Sequence, residues 1–299
     1  MIRNLVVSGG STKTLAAIGC IRYLEEMHMM QTIVNFIGTS AGSILCLMCC
    51  LGYSSDEMIA LLETEMIQKD RGQLSFDELL DLNVLNSYGL DSGDNMQAFI
   101  EAIIKFKLKR SHITFMELAK ITGKNLVICV ANLTKQHEEY MDVDSQPSLD
   151  VVKAIRMSIS LPLIFTPVIH NGNMYVDGAL YETLPIGYLS RFKDPLKDTI
   201  AIHTRTTIDS NIKSFTDYIA LLFSSIVVKA NSNVNHNNTK VNIMEVVFDD
   251  NSAMPLDVQT LKFDIDKTII KKSIDKGYSA IKKRFQARTS SANRESGNP

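Results

Sequence analysis

The sequence predicts a three-layer α/β/α fold, with a mostly parallel central sheet and helices on both faces. Two observations carry this. Residues 2–7 and 33–37 are short apolar runs, each followed by a glycine-containing turn and then a segment of helical apolar spacing. Strand, helix, strand, helix at this interval is the pattern of βαβ units and a buried parallel sheet. Further along, residues 125–131, 138–143, 199–203 and 241–247 read as additional strands, separated by turn-forming or helical stretches.

The elements follow in order. A helix is expected over residues 13–30, and another directly after Gly42. Residues 54–122 read as mainly helical, with Ser54, Ser75, Asp94 and Thr114 as N-cap candidates before periodic apolar residues. Residues 89–93, Gly-Leu-Asp-Ser-Gly, break this pattern as a loop. Asp150 is placed to start a helix through Ser158. Residues 163–169 and 173–176 flank His170-Asn171-Gly172, and Asn-Gly between apolar runs signals a hairpin. A helix is expected over residues 215–229, a surface loop over the Asn-rich residues 231–238, and a long helix over 264–285. Residues 289–299 lack apolar periodicity and are expected to be disordered, leaving one domain over residues 1–288.

Composition narrows the function classes. Of 299 residues, 45% are hydrophobic and 21% charged, which supplies a sizeable core. The formal net charge of −2 gives no reason to expect nucleic acid as a partner. Cys20, Cys46, Cys49, Cys50 and Cys129 are odd in number and irregular in spacing, so they read as buried reduced thiols rather than a disulfide or metal framework. An intracellular, cytoplasmic protein is the expectation from that usage. The first residues reach glycine too soon for a signal peptide, and no apolar run approaches the ~20 residues of a membrane span.

Chemistry concentrates at three turns. Gly38-Thr39-Ser40-Ala41-Gly42 is a G-x-S-x-G between an expected strand and an expected helix. There a serine is held in a strained turn, the glycines allow close approach, and the hydroxyl stands above the sheet edge. Serine is also a common N-cap, which is the plainer reading of the five residues alone.

Ser40 needs a base. The order serine, acid, histidine would nominate His203 or His236, neither in a distinctive loop. Asp177 ends an expected strand and opens Asp177-Gly178-Ala179, although Asp-Gly is also an ordinary turn. The first turn, Ser8-Gly9-Gly10-Ser11-Thr12-Lys13-Thr14, is not a phosphate-binding P-loop, because that motif needs glycine where Val7 and Thr12 stand. Backbone N–H groups of Gly9, Gly10 and Ser11 could instead hold an oxyanion, with Lys13 bracing the loop or favouring anionic groups.

Taken together, Gly9 to Thr14, Gly38 to Gly42 and Asp177 to Ala179 resemble the three motifs of patatin-like phospholipases, in order, over roughly residues 2–190. The resemblance implies a Ser-Asp dyad. Ser40 attacks an acyl ester of a phospholipid or related lipid, Asp177 takes its proton, and an acyl-enzyme is hydrolysed without a metal or other cofactor. It also implies oxyanion donors at Gly9, Gly10 and Ser11, with Lys13, Gly38, Gly42 and Gly178 supporting. Ser11 and Thr14 replace two glycines of the family's first motif; the hole is expected to survive them, and a non-catalytic lipid-binding or protein-interaction member of the fold, with the hole spoiled, is one alternative. A triad esterase using His203 is the other alternative.

Over residues 264–285 an apolar stripe is backed by Lys267, Lys271, Lys272, Lys276, Lys282, Lys283 and Arg284. Such a helix can lie on an anionic membrane, but packing on the core with a solvated basic face is the expectation here. Peripheral membrane contact near the active site is still required of an enzyme acting on bilayers. The sequence carries no signal of oligomeric state.

Overall fold

The computed structural model describes residues 1–67, 87–193, 198–206, 221–222, 225–227, 242–248 and 267–295. Ten strands are assigned among them: β1 (Asn4–Val7), β2 (Asn35–Thr39), β3 (Gly89–Asp91), β4 (Asn125–Asn132), β5 (His137–Met141), β6 (Leu163–Phe165), β7 (Val168–His170), β8 (Asn173–Asp177), β9 (Thr199–Thr206) and β10 (Asn242–Phe248). The helices are α1 (Leu15–Glu26), α2 (Ala41–Cys50), α3 (Ser55–Ile67), α4 (Asp94–Leu108), α5 (Phe115–Thr122), α6 (Val151–Ser158) and α7 (Lys267–Glu295). The main sheet runs β10-β9-β1-β2-β4-β8-β7, with β5 also on β4. Its first five strands are mutually parallel, while β5, β7 and β8 join antiparallel. This is the mostly parallel α/β architecture expected.

Strand alternation divides the core. Leu5, Val7, Phe36, Leu126, Ile128, Ile200 and Ile202 face one side with α1, α2, α3, α4 and α6. Val6, Ile37, Val127 and Ala201 face the other, where Leu184, Ile186, Tyr188 and Leu189 cover them. At the strand starts, amides lock the register: Asn4 Nδ2 donates to Thr199, Asn35 to Asn4, and Asn125 to Asn35. A one-residue slip would break this ladder and turn each apolar set outward.

Caps fall where the side chains predict them. Ser54 and Glu57 exchange hydrogen bonds before α3, Thr114 forms a capping box with Glu117, and Asp150 Oδ1 accepts from Val152 before α6. Gly93, rather than Asp94, caps α4. All five cysteines are buried and free.

Several boundaries differ from the expectation. The first helix is preceded by a 3₁₀ turn, Ser11–Thr14, because the Gly9-Gly10 approach tightens its entry. Residues 89–93 are not all loop, since β3 pairs in parallel with β6. Residues 163–169 form two strands, β6 and β7, broken before Pro167, which cannot donate to a ladder. The terminal helix continues to Glu295, past the expected disorder from residue 289, and residues 289–295 hold no glycine or proline to end it. The helix expected over 215–229 lies largely, and the cap at Ser75 and the loop over 231–238 wholly, outside the described residues.

α7 lies on α1, burying Ile270, Ile274 and Ile281. Gly19 and Gly277 permit the contact: a Cβ on Gly277 would stand 1.8 Å from the Ala16 carbonyl oxygen. Lys267, Lys271, Lys272, Lys282, Lys283 and Arg284 remain exposed on the outer side.

Candidate active site

The geometry of the site follows from how β4 is used. β5 pairs with Ile128–Asn132 of β4, so it holds one edge. β2 pairs with residues 125–129 on the other edge and ends at Thr39 opposite Cys129. β8 takes up that same edge at Val130, running the opposite way and ending at Asp177. Two strands therefore meet head to head along one edge of β4, and the residues at their tips are Ser40 and Asp177. Gly178 completes the approach, as a Cβ there would come within 2.4 Å of the Cys129 carbonyl oxygen.

Ser40 has φ 53° and ψ −132°, a region that non-glycine residues enter at a cost of ~1–3 kcal/mol. Neighbours fix it on both sides. Its N–H donates to Ser158 Oγ at 2.8 Å, and Ser158 in turn donates to the Cys129 carbonyl at 2.7 Å. Its carbonyl accepts from the N–H and Oγ of Ser43. Gly38 and Gly42 make the turn possible: a Cβ on Gly42 would stand 2.4 Å from the Val7 carbonyl oxygen.

Ser40 Oγ donates to Asp177 Oδ2 at 2.6 Å, and the Ala179 N–H donates to Oδ1 at 2.8 Å. Asp177 is 4% exposed, and its N–H bonds the Ser160 carbonyl. Burial pushes its carboxyl up to about 6, against the opposing pull of the bonds from Ser40 and Ala179. A hydroxyl already aimed at such a carboxylate can pass it a proton while attacking an electrophile.

The first turn closes on this pair. A Cβ on Gly9 would lie 3.1 Å from Ser40 Cβ and 3.7 Å from Ala179 Cβ, so the three motifs converge. Within the turn the structure corrects one expectation: the Gly9 N–H donates to the Thr183 carbonyl at 2.9 Å, so it is committed to the backbone and not to an oxyanion. Gly10 and Ser11 open the 3₁₀ turn, where N–H groups lack a partner within the helix. Thr14 is right-handed, at φ −60° and ψ −17°, so its replacement of glycine does not strain the backbone. Burial lowers the Lys13 ammonium to about 8.

His203 lies on β9, separated from β2 by β1, at two strand spacings or roughly 10 Å. The hydroxyl of Ser40 is instead bonded to Asp177. Among the described residues no group of three His, Cys, Asp or Glu side chains is arranged to hold a metal ion. Sequence reasoning missed Ser158 and Ser43 as the residues that hold Ser40. Ser43 follows the motif directly and was within reach of a local reading; Ser158, on a distant helix, was not.

A mostly parallel α/β sheet with an elbow serine bonded to a strand-end aspartate defines a serine-hydrolase-like site. The sequence profile of patatin-like phospholipase matches residues 5–190, and the chain belongs to that family. Membership makes it a lipid hydrolase in the broad sense. It is 29% identical over 214 residues to a probable lipid hydrolase of Invertebrate iridescent virus 6, covering 71% of this chain and 72% of that one. An uncharacterized protein of Acanthamoeba polyphaga mimivirus is 28% identical over 276 residues, covering 89% and 87%. Triacylglycerol lipase 5 of Saccharomyces cerevisiae is 27% identical over 213 residues, covering 62% of this chain and 28% of the lipase. Among solved structures, VipD from Legionella pneumophila superposes with a TM-score of 0.52 at 14% identity, over 92% of this chain and 67% of VipD, a likeness of fold.

Proposed function

We propose that this chain is a lipid acyl hydrolase in which Ser40 is the nucleophile and Asp177 the general base. The observation that carries this is the 2.6 Å hydrogen bond from Ser40 Oγ to Asp177 Oδ2, made by a serine held at φ 53°. Ser40 Oγ attacks the ester carbonyl carbon as Asp177 takes its proton. The Gly10 and Ser11 N–H groups receive the negative oxygen, each such donor contributing on the order of 3 kcal/mol. Asp177 then returns the proton to the departing alcohol, leaving the acyl group on Ser40. Water, deprotonated by Asp177, attacks the acyl carbonyl; the acid departs and Ser40 regains its proton. A carboxyl near 6 suits the base role, being ionised at neutral pH yet more basic than an exposed aspartate.

The experiment is reaction of the folded protein with a fluorophosphonate probe, followed by peptide mapping. One adduct on Ser40 is expected, absent from Asp177→Asn and unchanged in His203→Ala. Absence of any adduct on well-folded protein rejects the hydrolase reading. Loss of labelling in folded His203→Ala rejects the dyad.

A further inference from the structure

The two-stranded sheet of β3 and β6 stands beside the proposed active site and presents apolar side chains to solvent. β6 begins three residues after Ser160, whose carbonyl holds the Asp177 N–H. Three residues reach at most ~10 Å, so Leu163 lies at the margin of the dyad. Leu163 is 46% exposed, and Tyr88, adjacent to the Gly89 that pairs with it, is 63% exposed. Both have left-handed backbones, φ 70° and 60°. A leucine there is costly, since only Gly, Asn and Asp visit this region readily. The chain thus holds a large apolar residue out of its core, in a conformation that residue disfavours, next to the site. Their neighbours Ile164 and Phe165 are buried, and Arg156 anchors the sheet by donating to the Ser92 carbonyl at 2.6 Å while lying 5.5 Å from the Phe165 ring. The platform is fixed; only its outer residues face solvent.

We infer that Leu163 and Tyr88 form an apolar lip that seats in the surface of a lipid bilayer and brings the acyl ester to Ser40. The occupant follows from the family's lipid substrates, and the inference rests on the proposed hydrolase reading. Apolar residues rather than charge make the contact, so a zwitterionic surface suffices. The basic outer face of α7 is a separate feature. Tyr23, on the C-terminal half of α1, packs against Tyr278 and Phe285 of α7, toward the end of α1 remote from the elbow.

The test is partition of the full-length protein onto sucrose-loaded phosphatidylcholine vesicles, measured by sedimentation. The variants are Leu163→Asn, Tyr88→Ser and, as a control, Met27→Asn, which removes an exposed apolar residue at the C-terminal end of α1. Leu163→Asn is expected to weaken partition roughly 10-fold, the effect of withdrawing one leucine-sized side chain from an apolar phase. Its folded state is expected to be no less stable, because asparagine tolerates this backbone. Met27→Asn is expected to bind as wild type, and fluorophosphonate labelling to keep its rate in all three.

Wild-type protein that ignores phosphatidylcholine vesicles overturns the inference. So does partition unchanged in both Leu163→Asn and Tyr88→Ser, or binding that appears only with anionic lipid and vanishes when Lys282 and Lys283 are reversed in charge. Because partition needs no turnover, it judges the lip even if labelling were to reject Ser40 as nucleophile.

Discussion

At the Ser40 elbow and at the α1–α7 crossing, the chain uses glycine to bring backbones into contact. At the crossing, Gly19 and Gly277 are helical, and their neighbours are Ile270, Ile274 and the weak bond from Cys20 Sγ to the Gly277 carbonyl. The charged groups of the crossing lie at its exposed end, where the Tyr278 hydroxyl donates to Glu26. At the elbow, Gly38 and Gly42 make room for Ser40 at positive φ, and a carboxylate is buried beside it. The first region spends close approach on stability; the second stores strain and a buried charge. Substitutions in the two should therefore move stability and activity in opposite combinations.

The largest effect is expected at Asp177. Asp177→Asn should slow fluorophosphonate labelling by roughly three to four orders of magnitude, as when the acidic partner of a serine site is neutralised. It should also stabilise the fold. The folded-state carboxyl sits at about 6 against an ordinary 3.8, so the folded protein holds this proton more tightly than the unfolded chain. That favourable contribution is complete below pH ~4 and is lost as pH rises through 6, so that at neutral pH the ionised carboxyl costs the fold on the order of 3 kcal/mol. Thermal melts should show Asp177→Asn several degrees above wild type at pH 7.5 and level with it near pH 4. A variant less stable than wild type at pH 7.5 would mean that the carboxylate is not costly where it sits. In the wild type, labelling should rise with pH through about 6 and then level.

Ser158 should come next. Its hydroxyl bridges the Ser40 N–H and the Cys129 carbonyl, so Ser158→Ala leaves two buried groups unsatisfied and frees the elbow. Labelling should slow by about 10- to 100-fold, the scale of a small misplacement of a reacting group, with the pH midpoint unmoved because Asp177 is untouched. A purely structural serine would lower the melting temperature and leave the labelling rate of folded protein unchanged. At the crossing the pattern should invert. Gly277→Ala needs the helices to separate, a disturbance of about 1–3 kcal/mol, and should lower the melting temperature while the labelling rate per folded molecule stays constant.

Much of this was legible in the sequence, for reasons that differ by residue. Ser40 leaves a local mark as a G-x-S-x-G between strand and helix, whereas Asp177, an ordinary Asp-Gly turn by itself, is singled out only by the three motifs taken together. The strands of the sheet were visible as apolar runs, and the caps at Thr114 and Asp150 as side-chain chemistry beside periodic segments. What could not be read was pairing across long separations. The meeting of β2 and β8 on one edge of β4 joins residues 137 positions apart. The same limit hid Ser158, and it hid the engagement of Gly9 with Thr183, which only the folded chain brings together. The parallel pair β3 and β6 was missed because three-residue strands carry no periodicity.

The smallest expected effect belongs to Thr14, where the chain departs from the glycine of the family's first motif. Its Oγ1 is buried with no hydrogen-bond partner among the described residues, and it sits 3.3 Å from where a Cβ on Gly10 would be. An unsatisfied buried hydroxyl costs ~1–3 kcal/mol, part of which is offset by the methyl group that packs with it. Thr14→Ala should therefore be neutral or raise stability by about 1 kcal/mol, since alanine also suits the start of α1. The labelling rate should stay near wild type, because the 3₁₀ turn that presents the Gly10 and Ser11 amides is set by backbone rather than by this side chain. A marked loss of labelling in stable Thr14→Ala would make the threonine a working part of the turn, and would set the first motif beside the strained elbow as equally dependent on its side chains.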